Sequence, residues 1–326
     1  MNHPTLSIVI PVFNEEEVLP ALGERLAAVT AQAGLPYEII LVDDGSRDRS
    51  WNEMCARAER DSHVVLVRLS RNFGHQLAIT AGVEHARGDA VVIMDADLQD
   101  PPEVVLEMLE HWRDGADVVY GRRRVRDGES LFKLATASGF YRLIRRLTTV
   151  DIPADTGDFR LMSRAAIDAL NRLGERNRFV RGMVAWIGFR QEEVLYDRAA
   201  RFAGTTKYPM RKMLRFAADA IFSFSYVPLR IATLCGAAVS MVSFIYAMYA
   251  VMARIFNWNV VHGWASVMVA VVFLGGVQLI CVGLLGEYVG RIYDEVKKRP
   301  LYIAREVRRA GDRQKVSALA AAQIDI

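Results

Sequence analysis

Short apolar runs alternate with longer amphipathic stretches along residues 1–205. Five of these runs are rich in Val, Ile and Leu and predict buried strands: Leu6–Pro11, Tyr37–Asp44, Val64–Ser70, Asp89–Asp97 and Ala116–Gly121. Apolar residues spaced three or four apart predict helices over 16–33, 75–86 and 103–114. Unbroken apolar strands that alternate with helices are typical of a mostly parallel sheet with helices on both faces. We therefore predict an α/β domain over residues 1–205.

Two later segments lack charged residues for long enough to cross a lipid bilayer. Ile231–Ala253 and Trp264–Gly286 each run for 23 residues, and a ~30 Å hydrocarbon core needs ~20 apolar residues in a helix. Buried core helices are the alternative, but they rarely reach this length without a polar face. We predict transmembrane helices over 229–254 and 264–288, joined by a short loop at 255–263.

Basic residues flank this predicted hairpin on the sides away from its loop. They are Lys207, Arg211, Lys212, Arg215 and Arg230 before it, and Arg291, Lys297, Lys298, Arg299, Arg305, Arg308 and Arg309 after it. The positive-inside rule then predicts a cytoplasmic α/β domain and a cytoplasmic tail, residues 289–326. Within the region 206–228, Met210–Phe224 predicts an amphipathic helix that lies on anionic headgroups, the alternative being an amphipathic helix packed on the domain.

The composition of the 326 residues excludes several classes of protein. Hydrophobic residues make up 52%, which is too many for a disordered chain. A formal charge of +3 argues against a nucleic-acid-binding protein. Cys55, Cys235 and Cys281 cannot build a disulfide framework and do not have the spacing of a zinc site. A membrane-bound globular protein that binds no nucleic acid fits these numbers.

Polar and acidic residues follow the first, second and fourth predicted strands. They are Pro11, Asn14 and Glu15, then Asp43 and Asp44, then Asp95, Asp97 and Gln99. Ligands bind at the carboxyl ends of the strands in such sheets, so these residues are predicted to share one rim. Neither GxGxxG nor GxxxxGK[ST] occurs, which argues against a dinucleotide-binding fold or a P-loop.

Asp95 and Asp97 are two residues apart at the end of a strand, so their carboxylates can converge on one cation. Oxygen ligands favour Mg²⁺ or Mn²⁺, with water and substrate phosphates as the other ligands. Gln99 is a candidate for a further oxygen ligand. A solvated turn is the alternative for a lone pair of this kind. Carboxylates at three strand ends would repel one another without a cation, which favours a metal site.

Several motifs together resemble the inverting glycosyltransferases of family 2, which have the GT-A fold: SIVIPVFNEEE, DDGSRDRS, RNFGHQLAI and MDADLQDPPE. Later segments resemble the polyprenyl-phosphate glycosyltransferases, most closely the Gtr-type bactoprenol glucosyltransferases: TGDFRLMSR, RFVRGMVAWIGFR, RFAGTTKYPMRKM and GLLGEYVGRIYDEVKKRP. The resemblance covers about residues 5–303. Dolichyl-phosphate mannose synthases and the aminoarabinose transferases are related families.

The resemblance implies transfer of a sugar, most specifically glucose, from a UDP-sugar to undecaprenyl phosphate at the bacterial inner membrane. It also implies a homotetramer. The residues that would bind the donor nucleotide are Pro11, Asn14, Glu15, Asp43, Asp44, Asp95 and Gln99, and those that would hold the metal are Asp95, Asp97 and Gln99. The implied catalytic residues are Asp97, Asp158 and Arg160.

The resemblance gives Asp158 the role of general base. A phosphate monoester has a second pKa of ~6, so it is largely ionised in the cytosol and needs a base less than a sugar hydroxyl does. Asp158 can instead orient the acceptor; a helix N-cap or a structural pair with Arg160 are the non-catalytic alternatives. Cations must bring the two anionic substrates together. The candidates are Arg122, Arg123, Arg160, Arg201, Lys207, Arg211 and Lys212, each of which is otherwise a solvated surface charge.

Three further hypotheses use the same features. The donor can be UDP-GlcNAc, UDP-galactose, UDP-aminoarabinose or GDP-mannose instead of UDP-glucose. A nucleotidyl- or phosphoryl-transferase would use the same acidic rim, but no Gly-rich motif supports it. A non-enzymatic membrane scaffold with a nucleotide-binding head is disfavoured by the presence of Asp95, Asp97, Asp158, Arg201 and Lys207.

Overall fold

The computed structural model describes residues 3–124, 156–176, 178–198, 227–256 and 264–309. The strands are β1 (Leu6–Val12), β2 (Tyr37–Asp43), β3 (Val64–Leu69), β4 (Ala90–Ile93), β5 (Val118–Arg123), β6 (Thr156–Ser163), β7 (Gln191–Tyr196) and β8 (Ala304–Arg308). The helices are α1 (Leu19–Ala33), α2 (Ser50–Arg60), α3 (His75–His85), α4 (Val104–Arg113), α5 (Arg164–Arg172), α6 (Val180–Trp186), α7 (Val227–Ile255) and α8 (Trp264–Val296). They fall into two compact units, the sheet with α1–α6 and the pair α7 and α8.

The eight strands of the described ranges form one mixed sheet in the order β7-β5-β6-β4-β1-β2-β3-β8. β1 runs parallel to both β2 and β4, with Leu6 opposite Tyr37 on one side and Ala90 on the other. β3 is parallel to β2, and β7 is parallel to β5. β6 lies antiparallel between β4 and β5, and β8 lies antiparallel beside β3. The prediction of a mostly parallel α/β sheet is confirmed.

Helices cover both faces of the sheet because its central strands are apolar on both sides. Ile8 and Ile10 pack into a core with Leu22 of α1, while Val9 between them meets α3 on the opposite face. A Cβ atom at Gly82 of α3 would lie 2.2 Å from Val9 Cγ1, so only glycine allows α3 to lie this close to β1. This contact fixes the helix whose first turn reaches the carboxyl ends of the strands.

The fourth strand is shorter than its apolar sequence predicted. The prediction of a strand through Asp97 is wrong at its end, since β4 stops at Ile93. Asp95 and Asp97 therefore lie in the loop that follows the strand. In this loop Leu98 takes φ 57° and is buried, a backbone conformation that branched residues rarely adopt. The buried side chain holds the strained turn in place, so the direction of the neighbouring carboxylates is set by the core.

The second unit is the pair of long apolar helices. Leu229–Tyr246 in α7 and Phe273–Val296 in α8 are long and apolar enough to cross a membrane, by length and composition. The 29 and 33 residues of α7 and α8 correspond to about 43 and 50 Å of helix, against a ~30 Å hydrocarbon core. Large apolar side chains such as Phe244 and Leu279 are exposed along both helices. This surface indicates membrane association.

Beyond α8 the chain returns to the sheet, where β8 forms an edge strand next to β3. Ser70 N donates to Ile303 O at 2.9 Å, and the Tyr302 hydroxyl donates to Glu84 Oε2 at 2.6 Å. After the strand, Arg309 Nη1 donates to Glu38 Oε2 at 2.8 Å. The segment 289–326, predicted as a cytoplasmic tail, contains the last turns of α8 and one strand of the sheet.

Candidate active site

The loop after β1 is joined to the loop after β2 by short hydrogen bonds. Asn14 takes φ 56°, which asparagine tolerates better than most residues. Its backbone N donates to Ser46 Oγ at 3.1 Å, and its Oδ1 accepts from Arg47 N at 2.8 Å. Glu15 N donates to Ser50 Oγ at 2.8 Å. The two loops predicted to face the nucleotide therefore form one continuous surface, and the Asn14 side chain helps to build it.

Asp43 is the last residue of β2 and is fully buried. Its Oδ1 accepts from Ser46 N at 2.9 Å, which closes a tight turn. Its Oδ2 lies 3.4 Å from Arg68 Nε, close enough for an ion pair, but makes no hydrogen bond. Pro11, one strand away, is buried within β1. These two predicted donor-site residues are therefore buried beneath the loops that form the rim.

Asp44 determines where α3 begins. Its Oδ1 accepts from Phe73 N at 2.7 Å and its Oδ2 from Gly74 N at 3.0 Å. Burial raises the pKa of Asp44, although these two hydrogen bonds act in the opposite direction. Because Gly74 directly precedes the helix, the carboxylate places His75 at the rim. The predicted contact of Asp44 with a base or ribose stays a prediction.

Asp95 has one buried carboxylate oxygen without a hydrogen bond. This Oδ1 lies 3.4 Å from His75 Nε2, within ion-pair distance. Burial raises the pKa of Asp95 to about 6 despite the neighbouring His75. Asp97 Oδ1 accepts from Gln99 N at 3.1 Å, so Gln99 supports the loop through its backbone. A desolvated carboxylate oxygen that lacks a protein donor is a suitable ligand for a cation.

Asp158 lies on β6, only 4% exposed, and is surrounded by donors from two helices. It accepts from Arg181 Nε at 2.9 Å and Nη2 at 3.3 Å, from Gln76 Nε2 at 3.0 Å and from His75 Nε2 at 3.2 Å. Burial alone would raise the pKa of Asp158, but Arg181 and His75 outweigh it and hold this pKa far below its usual range. The carboxylate is therefore ionised and fully hydrogen-bonded.

His75 bridges the two acidic groups of the rim. Both neighbours of its Nε2 are carboxylate oxygens, of Asp158 and Asp95, so this nitrogen carries a proton. Burial opposes a positive charge on the ring, but the hydrogen bond to Asp158 and the charges of both carboxylates raise the pKa of His75 to about 9. We call Asp95, His75, Asp158 and Arg181 the rim cluster.

Arg160 lies behind Asp158 rather than at the surface. It is 3% exposed, and its Nε and Nη2 donate to the backbone oxygens of Asp158 at 3.3 Å and Gly157 at 2.9 Å. Burial lowers its pKa to about 10. The Arg160 side chain thus supports the first residues of β6, and the Asp158 carboxylate pairs with Arg181 instead. The position of Asp158 on a strand also excludes the alternative of a helix N-cap.

Two further arginines predicted to bind phosphate, Arg122 and Arg123, have partners outside the rim cluster. Arg122 pairs with Glu193 of β7, with Nη1 3.0 Å from Oε2. Arg123 Nε is buried without a hydrogen bond, near the buried pair in which the Tyr196 hydroxyl donates to Asp100. The remaining candidates lie outside the described residues, as does the predicted helix 210–224: Arg201, Lys207, Arg211 and Lys212.

Three residues of this site were missed from the sequence, namely His75, Gln76 and Arg181. Each lies in the first turn of a helix, α3 or α6, that begins at the rim. Gln76 also joins the two helices, since its Oε1 accepts from Val180 N at 3.0 Å. The motifs RNFGHQLAI and RFVRGMVAWIGFR contain all three residues and were the signal that could have led to them.

The chain belongs to glycosyl transferase family 2, whose model matches residues 7–170. A second model, the GtrB C-terminal hairpin, matches residues 227–292, which are mostly α7 and α8. The chain is therefore a glycosyltransferase with a GT-A-like α/β domain and a C-terminal helical hairpin, as its motifs predicted.

The similar proteins cover nearly the whole chain. An uncharacterized glycosyltransferase of Bacillus subtilis, YkcC, is 48% identical over 93% of this chain and 94% of its own length. The prophage bactoprenol glucosyl transferase homolog of Escherichia coli is 41% identical over 93% of this chain and 99% of its own length. The bactoprenol glucosyl transferase of Shigella phage SfII is 42% identical over 93% and 98%.

Proposed function

We propose that this glycosyltransferase transfers glucose from UDP-glucose to a polyprenyl phosphate, with inversion at the anomeric carbon. Membership of family 2 supports glycosyl transfer, and the names of the two bactoprenol relatives support the acceptor and the sugar. The observation that carries the proposal is the rim cluster, in which an unsatisfied carboxylate oxygen of Asp95 lies beside His75, and His75 and Arg181 both contact Asp158. Such a site accommodates a cation and two anionic substrates.

Asp95 and Asp97 are the residues proposed to hold Mg²⁺ or Mn²⁺, and the buried Asp95 Oδ1 fits this role. Within the described ranges, no three His, Cys, Asp or Glu side chains are grouped as a metal centre. Two carboxylates fit a cation that takes its other ligands from a diphosphate and water, as Mg²⁺ commonly does. When bound, the cation would neutralise charge on the departing UDP. Direct binding by the Gln99 side chain stays part of the proposal.

The proposed reaction needs no general base. One oxygen of the acceptor phosphate bonds to the anomeric carbon while the bond from that carbon to the UDP oxygen breaks, and its electron pair leaves with UDP. The dianionic acceptor becomes a monoanionic diester, and UDP carries the additional negative charge, so no proton has to move. Asp158 is ionised, but its hydrogen bonds hold its pKa far below neutrality, which makes it a poor proton acceptor.

We further propose that the reaction occurs on the cytoplasmic leaflet of the bacterial inner membrane. The positive residues after α8, such as Lys297 and Arg299, support a cytoplasmic orientation. The apolar surfaces of α7 and α8 support anchoring in the bilayer, where the phosphate of a polyprenyl lipid lies at headgroup depth. A homotetramer remains an expectation from the resemblance, which cross-linking in native membranes would test.

The test is incorporation of labelled sugar by the full-length protein in detergent with undecaprenyl phosphate and Mg²⁺ or Mn²⁺. We expect label from UDP-glucose in an organic-soluble lipid that mild acid releases, and no label after EDTA. Parallel reactions with UDP-galactose, UDP-GlcNAc, UDP-aminoarabinose and GDP-mannose determine the sugar. Incorporation that is insensitive to EDTA would contradict the metal assignment, and label in free sugar phosphate would contradict the acceptor.

A further inference from the structure

Among the described residues, the cationic side chains that contact the carboxylates of Asp95 and Asp158 are His75 and Arg181, and the sequence analysis named neither for the acceptor. Arg160 is buried behind Asp158, and Arg122 pairs with Glu193. Arg181, the first-turn residue of α6, donates through two of its nitrogens to Asp158 and keeps 30% of its side chain exposed. His75 contacts both Asp158 and Asp95 through one nitrogen.

Asp158 has the environment of an orienting group. Three side chains from α3 and α6 donate to its two oxygens. Gln76 fixes the relation of these helices, because it donates to Asp158 and accepts from the backbone of α6. A guanidinium has five N–H donors in a planar fork, and Asp158 takes those of Nε and Nη2. The buried carboxylate thus sets the plane of a partly exposed guanidinium.

We propose that Arg181, oriented by Asp158, binds the phosphate of the acceptor, with His75 between it and the donor site. This inference rests on the proposed function and deepens it. Arg181 keeps its charge throughout the physiological pH range and can fork onto phosphate oxygens. The first turn of the 11-residue helix α3 adds its positive end at the same place. In this arrangement Asp158 is a positioning residue.

The placement also explains how two anions could meet. His75 Nε2 lies 3.2 Å from Asp158 and 3.4 Å from Asp95, so a phosphate on Arg181 and a donor diphosphate at Asp95 would be held on either side of one ring. The ring N–H lies between two negative groups and shields them from one another. An acceptor bound to Arg122, which faces β7, would not have this relation to Asp95.

The experiment determines the KM for each substrate separately in the full-length protein. Farnesyl phosphate serves as a soluble acceptor and UDP-glucose as the donor. We expect Arg181→Gln to raise the KM for farnesyl phosphate at least ~10-fold, with the KM for UDP-glucose nearly unchanged. Arg181→Lys should recover part of the loss because it keeps a point charge. Arg113→Gln, at an exposed arginine of α4, is the matched control and should resemble wild type.

Asp158→Asn distinguishes positioning from base catalysis. If Asp158 positions Arg181, the variant should have a raised KM for farnesyl phosphate, and the shape of the pH profile of kcat should be unchanged. If Asp158 is instead the general base, kcat should fall and the acidic limb of that profile should be lost. This result would overturn the inference. Equal increases in both KM values, or no increase for farnesyl phosphate in Arg181→Gln, would also overturn it. Calorimetric binding of farnesyl phosphate to wild type and Arg181→Gln tests the site even if turnover with UDP-glucose fails.

Discussion

Two acidic side chains at opposite ends of the sheet, Glu38 and Asp95, have very different surroundings. Glu38 on β2 is 6% exposed and accepts from Ser7 Oγ at 2.7 Å, Arg87 N at 2.6 Å and Arg309 Nη1 at 2.8 Å. Asp95 after β4 has an Oδ1 that is buried without any hydrogen bond. Both residues belong to the same α/β domain and each has a buried carboxylate oxygen, although the Asp95 side chain as a whole is 33% exposed, so the burial of an oxygen atom does not by itself separate their roles.

The difference lies in whether the protein itself satisfies the charge. The carboxylate of Glu38 is fully hydrogen-bonded. Its donors come from β1, from the loop before β4 and from the segment after β8. Leaving a buried polar group unsatisfied costs ~1–3 kcal/mol or more, so such a group usually has a functional role or is completed by a water molecule or an ion. This contrast indicates that Glu38 holds the C-terminal segment on the sheet, and it supports the proposal that Asp95 binds a cation.

The sharpest way to break this contrast is to neutralise Asp95. We expect Asp95→Asn to lower glycosyl transfer at least ~100-fold, because one of two proposed metal ligands is lost. The melting temperature should stay the same or rise by up to ~2 °C, because the amide removes a desolvated charge whose pKa is raised. Label incorporation and thermal unfolding measure the two effects. A fall in melting temperature as large as that of a core variant would refute the distinction.

Neutralising Glu38 should have the opposite result. Glu38→Gln removes the charged partner of Arg309, whose side chain is 15% exposed and still donates to His85 O, and breaking a largely buried pair costs roughly 3 kcal/mol, or about 6–10 °C in melting temperature. The KM for UDP-glucose should be unchanged. Arg309→Gln should cost a similar amount, and the double variant should cost less than the sum.

Glu24→Gln, on the exposed side of α1, is the matched control for Glu38 and should change stability by less than ~0.5 kcal/mol. If Glu38→Gln instead retained the wild-type melting temperature, the segment after β8 would not be held by this ion pair. Together, Asp95→Asn and Glu38→Gln distinguish a carboxylate needed for glycosyl transfer from one needed for stability.

The sequence predicted those parts of the fold that depend on local periodicity. The five predicted strands correspond to β1–β5, and the two long apolar segments correspond to α7 and α8. β6, β7 and β8 were not predicted. β6 is inserted antiparallel between β4 and β5, β7 pairs with β5 about 70 residues earlier, and β8 has the polar sequence AREVR. Such strands exist through pairing with distant residues, which periodicity does not report.

The candidate site shows the same division. The positions of Asp95 and Asp97 followed from the end of a predicted strand, since a rim is a property of parallel topology. The partners of Asp158 did not, because His75 precedes it by 83 residues and Arg181 follows it by 23. Only the tertiary arrangement of α3, α6 and β6 brings these side chains together, so the motifs indicated the residues without indicating their contacts.

The smallest expected effect is a pH dependence at the edge that Glu38 closes. Burial, followed by the charges of Arg309 and Arg87, holds the pKa of His85 below its ordinary value of 6.5. The unfolded chain therefore takes up a proton near pH 6.5 that the folded chain takes up only at lower pH, and stability is lost as the pH falls through 6.5. His85→Gln should remove part of this loss and reduce the drop in melting temperature between pH 7.5 and 5.5 by roughly 2 °C. His3→Gln, at an exposed histidine, is the control. If the melting temperature of His85→Gln dropped between pH 7.5 and 5.5 as much as that of wild type, or more, this edge would tolerate a protonated His85.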